Sequence, residues 1–272
     1  MTTSAAGNVT EFTTVDRAPD SSWFIEFMDM ANAVPEYASI RQSLADNLGP
    51  LDGARLLDVG CGTGDDAREL AERVGPAGAV LGVDLSDAMI AEARRRAGGA
   101  ALPAEFRVGD VRRLGFADGS FDGVRAKLVL MHCADIEAAA AELVRVLRPG
   151  GRLAVFDYDF DLSAIDHPDM AATREVVRCC ADGHPNSWSG RQLARRFLDL
   201  GLRDISVTPH TVIMPYSFFR RSVGGRLAAA CADGSLRMTA AELDAWWREL
   251  ADAEARGRFF SSLTGFVVGG TR

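Results

Sequence analysis

The segment LLDVGCGTGDDA, residues 56–67, constrains the fold more than any other part of the chain. Apolar residues run to Val59, glycines follow at 60, 62 and 64, and a helical pattern with Ala67, Leu70, Ala71 and Val74 on one face starts at once. A strand, a tight turn and a helix in that order open a parallel α/β sheet, because parallel strands are joined by long, right-handed crossovers. The unit recurs downstream. GAVLGVD (78–84) reads as a second strand with Ser86 as the N-cap of the next helix, AEFRVGD (104–110) as a third, FDGVRAKLVL (121–130) as a fourth and RLAVFDYD (152–159) as a fifth. Ile136, Ala140, Leu143, Val144 and Leu147 line a helix between the last two. Near-continuous apolar strands separated by helices predict a doubly wound, Rossmann-like sheet covered on both faces.

The pattern changes at both ends. Residues 1–20, rich in Thr, Ser, Ala and Asp, read as a flexible tail. Over 21–50, WFIEFMDM and then Ile40, Leu44 and Leu48 before Gly49-Pro50 predict two helices, an N-terminal lid on a main domain of 51–272. Past the fifth strand, SGRQLARRFLDLGL and a capping box of Thr239 with Glu242 predict helical cap additions at about 160–200 and 215–256. RDISVTPHTVIM and GRFFSSLTGFVVGG (257–270) read as strands, the second closing the sheet.

A hydrophobic fraction of 47% over 272 residues supports one sizeable core. A net charge of −8 speaks against nucleic acid and anionic membrane surfaces as partners. Five scattered cysteines, with no C-x-x-C pair and no His/Cys cluster at ligand spacing, predict reduced thiols and no metal. The first residues lack a basic and an apolar signal region, and no apolar run has the length of a membrane span, so a soluble, cytoplasmic protein is expected.

What the glycine turn holds is decided by its chemistry. G-x-G-x-G departs from the dinucleotide fingerprint, which needs a glycine where Asp65 stands. A diphosphate would also meet Asp65 and Asp66 in the first helical turn, with no Lys or Arg in the loop. S-adenosylmethionine has no phosphate and carries cationic sulfonium and ammonium groups, which suit acidic surroundings. The bland reading, that the two aspartates merely favour a helix N-terminus, does not explain the missing phosphate ligands. Asp84, at the end of the second strand, is placed to accept ribose hydroxyls, as it would be in an NAD site too.

With LLDVGCGTGDD, LGVDLSDAMI, FRVGDVRRLGFADGSFDGV and LVRVLRPGGRLAVFD in this order, the chain resembles the class I S-adenosylmethionine-dependent methyltransferases over residues 56–157. The resemblance implies a seven-stranded sheet in order 3-2-1-4-5-7-6 with the seventh strand antiparallel. It implies methionine contacts from Asp58, Gly60, Cys61, Gly62 and Gly64, and ribose contacts from Asp84. Leu85 and Met89 would flank the adenine, with Asp110 and the Val111 amide at its edge. Arg125 and Ala126 stand where the family offers a carbonyl to the methionine ammonium. More loosely, FDYDFDLSAIDHPDMAATR and NSWSGRQLARRFLDLGL are similar to bacterial small-molecule methyltransferases, including those of secondary metabolism.

Methyl transfer is an in-line displacement in which orientation carries much of the catalysis and a base is optional. His132, just past the fourth strand, is the candidate base; its alternative is a wall of the pocket. Asp157 and Tyr158 either hold substrate or cap the sheet. Trp23, Phe24, Phe27 and Met28 form a lid or pack as an ordinary amphipathic helix; Trp188, Phe218, Phe219, Trp246 and Trp247 line a pocket or fill the core. For His167, His184 and His210 an exposed loop role is expected. The expected reaction is transfer to an oxygen or nitrogen of a small organic acceptor, by a monomer or homodimer. Cyclisation or another non-transfer reaction on the bound cofactor is the alternative; an oxidoreductase lacks a nicotinamide site, and a cofactor-binding regulator has no supporting feature.

Overall fold

The computed structural model describes residues 7–18, 20–99 and 101–272. Its sheet is built from β1 (Arg55–Val59), β2 (Ala79–Asp84), β3 (Ala104–Val108), β4 (Phe121–Lys127), β5 (Leu147–Ile165), β6 (Arg203–Ile213) and β7 (Ser261–Thr271) in the order β3-β2-β1-β4-β5-β7-β6. Strands β1 to β5 are parallel, and β7 runs antiparallel to both β5 and β6. Alternate side chains of β1 enter opposite cores. Leu56 joins the layer formed with α2 (Glu36–Leu48) and α3 (Asp65–Val74), and Leu57 joins the one with α5 (Ile136–Arg145). The carboxyl ends of β1, β2 and β4 thus meet at one rim, where an open parallel sheet binds its ligands.

The local signals act where they were read. Ser86 accepts from the Met89 amide at 3.2 Å to start α4 (Asp87–Ala97). Thr239 and Glu242 form a reciprocal capping box on α9 (Ala240–Ala255).

Four expectations shift. Part of the N-terminal tail, Val9–Arg17, is a 3₁₀ helix kinked at Thr14. It is anchored by Asp16, whose carboxylate accepts from the Ser86 hydroxyl at 2.7 Å and the Asp87 and Ala88 amides at 2.9 and 3.1 Å. Composition missed this because the holding partners lie seventy residues away; residues 1–6 lie outside the described residues.

Of the two helices at 21–50, α1 (Ser22–Asn32) sets Met28 against Gly62, whereas α2 packs Ile40, Leu44 and Leu48 into the sheet core. Between β5 and β6, α6 (Met170–Asp182) rises over the rim, whereas α7 (Ser189–Asp199) packs Leu193 and Phe197 against the sheet. Strand β5 is longer than 152–159. Past a register shift after Tyr158 it continues to Ile165 against β7, which carries Phe160, Ser163 and Ile165 over the rim. The long helix α8 (Tyr216–Asp233) supplies the far wall, with α9 behind it.

Candidate active site

One cavity of about 770 Å³ runs from the carboxyl ends of β1, β2 and β4 to α6 and α8. Its floor is the glycine turn. Gly60, Gly62 and Gly64 all have positive φ (66°, 51° and 77°), a region that L side chains rarely adopt. A Cβ on Gly62 would also strike the Met28 thioether methyl, and one on Gly60 would strike Val129, so the turn is closely covered.

Four amides of this turn are already committed. Gly60 and Cys61 donate to the Val83 carbonyl at 2.7 and 3.0 Å, Gly64 donates to Cys61, and Gly62 donates to the Asp84 carboxylate at 2.8 Å. They are therefore withdrawn from any phosphate. This replaces the charge argument drawn from Asp65 and Asp66, because both aspartates are paired. Asp65 meets Arg68 and Arg96; Asp66 meets Arg125 and Lys127, each at 2.6 Å. Burial pushes Asp66 upward, but the two cations outweigh it and hold it below the usual carboxylate range.

Arg125 is the largest departure from the family-based expectation. Only 3% exposed, its guanidinium bridges Asp58 at 2.8 Å and Asp66 at 2.6 Å beneath the turn. Burial raises Asp58 to about 6 against the pull of Arg125. Asp58, Gly64, Arg125 and Ala126 lie behind the cavity wall; from the end of β4 it is Lys127 and Leu128 that line it. The alternation of β4 sends the Arg125 side chain into the charge cluster instead of the cavity. Lys127 and Leu128 carried no motif of their own.

The remaining cofactor candidates come together. Asp84, Leu85, Met89, Asp110 and Val111 line the β2–β3 end of the cavity with Gly60, Cys61 and Gly62. Asp84 accepts the Gly62 and Ser86 amides, and burial raises its pKa. The Asp110 carboxylate is held by Arg112 in a bidentate pair, which lowers its pKa. A closely covered glycine floor, a carboxylate at the end of β2 and amides closed to phosphate suit an adenosyl group joined to a cationic amino acid.

At the other end the expectations divide. His132 and Tyr158 line the cavity; Trp23, Asp157 and Trp188 do not. Trp23 stacks on Phe27, whose ring does reach the cavity. Trp188 is 46% exposed, with Arg191 over its ring. Asp157 accepts from the Val129 and Met131 amides at 3.1 Å and the Ser189 hydroxyl at 2.5 Å, which fixes the chain carrying His132. Burial raises Asp157 to about 7 against these bonds. Tyr158 shares a 2.6 Å hydrogen bond with Tyr37. Phe218 and Phe219 line the cavity while Trp246 and Trp247 are core.

His184 and His167 are buried rather than exposed in loops. His184 stacks on Phe160 at 3.9 Å and stands 5.5 Å from His132, ring centre to ring centre. Its Nδ1 lies 3.1 Å from the Cys180 carbonyl, so Nδ1 carries the proton and Nε2, buried without a protein partner, keeps its lone pair. Burial and the neighbouring His184 lower His132 to about 3; burial lowers His184 to about 4. Both rings are neutral at physiological pH. No isolated sequence cue marked His184, because its pairing with His132 spans two connections of the fold.

Among the described residues no cluster of His, Cys, Asp or Glu could hold a metal ion, and no helix is long and apolar enough to cross a membrane. The family described as methyltransferase domain matches residues 57–155. A 37.1 kDa protein of transposon TN4556 from Streptomyces fradiae, named only as uncharacterized, is 37% identical over 255 residues, covering 92% of this chain and 71% of that protein. Nocamycin O-methyltransferase of Saccharothrix syringae is 39% identical over 129 residues, 46% of this chain and 45% of that enzyme. The match therefore spans less than half the length of the second relative. Among solved structures, the YcgJ protein of Bacillus subtilis superposes with a TM-score of 0.60 at 18% identity over 87% of this chain and 98% of that one, a likeness of fold. The chain belongs to the class I S-adenosylmethionine-dependent methyltransferases, with S-adenosylmethionine as its cofactor.

Proposed function

We propose that this enzyme methylates an oxygen or nitrogen of a small organic molecule of the kind made in secondary metabolism. The observation that carries the reading is His132, a neutral imidazole on the wall of a largely apolar cavity continuous with the glycine turn. When bound, S-adenosylmethionine supplies an electrophilic methyl group on a cationic sulfur. Phe12, Phe27 and Met131 exclude water around the acceptor, and the walls fix its approach. A base as weak as His132 does not ionise the acceptor in advance. It takes the proton as bond formation makes the attacking oxygen or nitrogen strongly acidic. The similarity to nocamycin O-methyltransferase supports oxygen as the receiving atom. Five free thiols fit a reducing, cytoplasmic setting.

The test is product analysis with isotopically labelled S-adenosylmethionine and a panel of phenols and amines. His132→Gln is expected to lower methyl transfer by roughly 10²–10⁴-fold with cofactor affinity intact. His132 itself contributes no inflection to the wild-type rate between about pH 8 and pH 5, since burial keeps it deprotonated throughout. An inflection near pH 7 belongs to Asp157, which holds the chain carrying His132. Near-normal turnover in the variant would make His132 a wall of the pocket. A rearranged product with no methyl gained would replace the reading with the non-transfer alternative.

A further inference from the structure

We infer that the acceptor carries an anionic group, a carboxylate or one of like charge, which is seated on Arg226. The inference rests on the reading that the α6–α8 end of the cavity receives the acceptor. Four cationic side chains line the whole cavity. Arg112 is bound to Asp110 and Lys127 to Asp66, while Arg17 is exposed at the cofactor rim. Arg226, half-buried on α8, makes no salt bridge within 4 Å among the described residues; the exposed Asp233 at the end of the same helix feels its charge only from farther off. Among the described residues the one side-chain hydrogen bond of Arg226 is from Nε to the Cys179 carbonyl at 3.3 Å, which steadies the side chain and leaves both terminal nitrogens for a ligand.

Its surroundings sharpen the selection. Arg226 packs against Gly183, next to His184, so the free guanidinium and the histidine pair share one chamber. The two imidazoles are neutral and the adjoining walls, Phe160, Val176, Phe218 and Val223, are apolar. The cavity's acidic side chains, Asp65, Asp66, Asp84 and Asp110, come from the turn and the strand ends at the cofactor end. A half-buried cation facing an apolar chamber is an anchor for a complementary anion, and a guanidinium suits a planar carboxylate in particular. The neutral His184 Nε2 beside it accepts a hydrogen bond from a hydroxyl or amine on the same molecule. The acceptor class is thus an apolar body with one acidic group.

Binding, rather than turnover, tests this independently of the reaction. With the protein saturated in S-adenosylhomocysteine, calorimetry compares 2-naphthoate with the neutral, near-isosteric 2-naphthamide. The wild type is expected to prefer the carboxylate by at least about tenfold, the lower range of a charge-assisted hydrogen bond. Arg226→Gln should lose that preference and Arg226→Lys should keep part of it, with S-adenosylhomocysteine affinity the check on folding. Equal binding of the two probes to the wild type, no binding of naphthoate at millimolar concentration, or a preference kept in Arg226→Gln would each overturn the inference. Should Arg226→Gln fail to fold, the wild-type comparison still decides. Failure of methyl transfer to every acceptor would leave the carboxylate preference standing, so the two readings fail separately.

Discussion

The two ends of the cavity are built differently. At the cofactor end, strand ends and a turn with three left-handed glycines fix the backbone, its amides are internally bonded, and buried charges are locked in pairs. At the acceptor end, the walls come from the 3₁₀ segment, α1, α6 and α8, and the polar groups stand uncommitted: His184 Nε2, His132 Nδ1 and the Arg226 terminal nitrogens. An invariable ligand tolerates a closed, pre-bonded cradle. Recognition of one particular acceptor needs groups left free to bind it.

The sharpest attempt to break this contrast is Arg125→Ala. It leaves Asp58 and Asp66 buried, with the main partner of Asp58 gone, and should destabilise the fold by about 3–5 kcal/mol in urea denaturation. A loss below 1 kcal/mol, to use a rough limit for exposed pairs, would mean that the charges beneath the turn are not locked.

Next in size, Asp84→Ala removes the acceptor of the Gly62 and Ser86 amides and the carboxylate facing the ribose position. Calorimetry should read a loss of about 1.5–3 kcal/mol in S-adenosylmethionine binding. Unchanged affinity in a folded variant would take Asp84 out of the site.

The acceptor end responds to pH. Unfolded His184 titrates near 6.5 and the folded group near 4, so as pH falls from 6.5 toward 4 the unfolded chain binds the additional proton and stability is lost. His184→Phe keeps an aromatic ring in this place and removes the titration. Between pH 8 and pH 5 the variant should lose about 1–2 kcal/mol less stability than the wild type. Equal losses would show that His184 titrates normally when folded.

The smallest effect expected is that of Asp16→Ala, which releases the 3₁₀ segment from the start of α4. It should cost about 0.5–2 kcal/mol of stability, the range for a lost cap. It should also weaken cofactor binding, because Val15 of the segment packs against Met89 at the cofactor end. Cofactor affinity that does not change would make the segment a passive strap.

The same division governs what was legible. The glycines at 60, 62 and 64, the N-cap at Ser86 and the box at Thr239 were readable because a backbone conformation is set by the residue adopting it and near neighbours. Asp84, read from its place at the end of the second strand, and Leu85, Met89, Asp110 and Val111, implied by the family resemblance, all line the cavity. Trp188 and Asp157, for which the sequence left two roles open, lie outside the cavity lining, because adjacency to a strand end does not say which way a side chain points.

By itself the sequence determined the order of strands and helices, the turn that opens the site and, through its motifs, the family. Only the tertiary structure decided that Arg125 pairs with Asp58 and Asp66, that Asp16 recruits the N-terminal segment, that His132 and His184 form one neutral pair, and that Arg226 makes no close salt bridge among the described residues. The physical reason is range. Dihedral preferences and hydrophobic periodicity act over a few residues, whereas ionisation and pairing depend on which distant groups the packed fold brings within a few ångströms and how far it removes them from water.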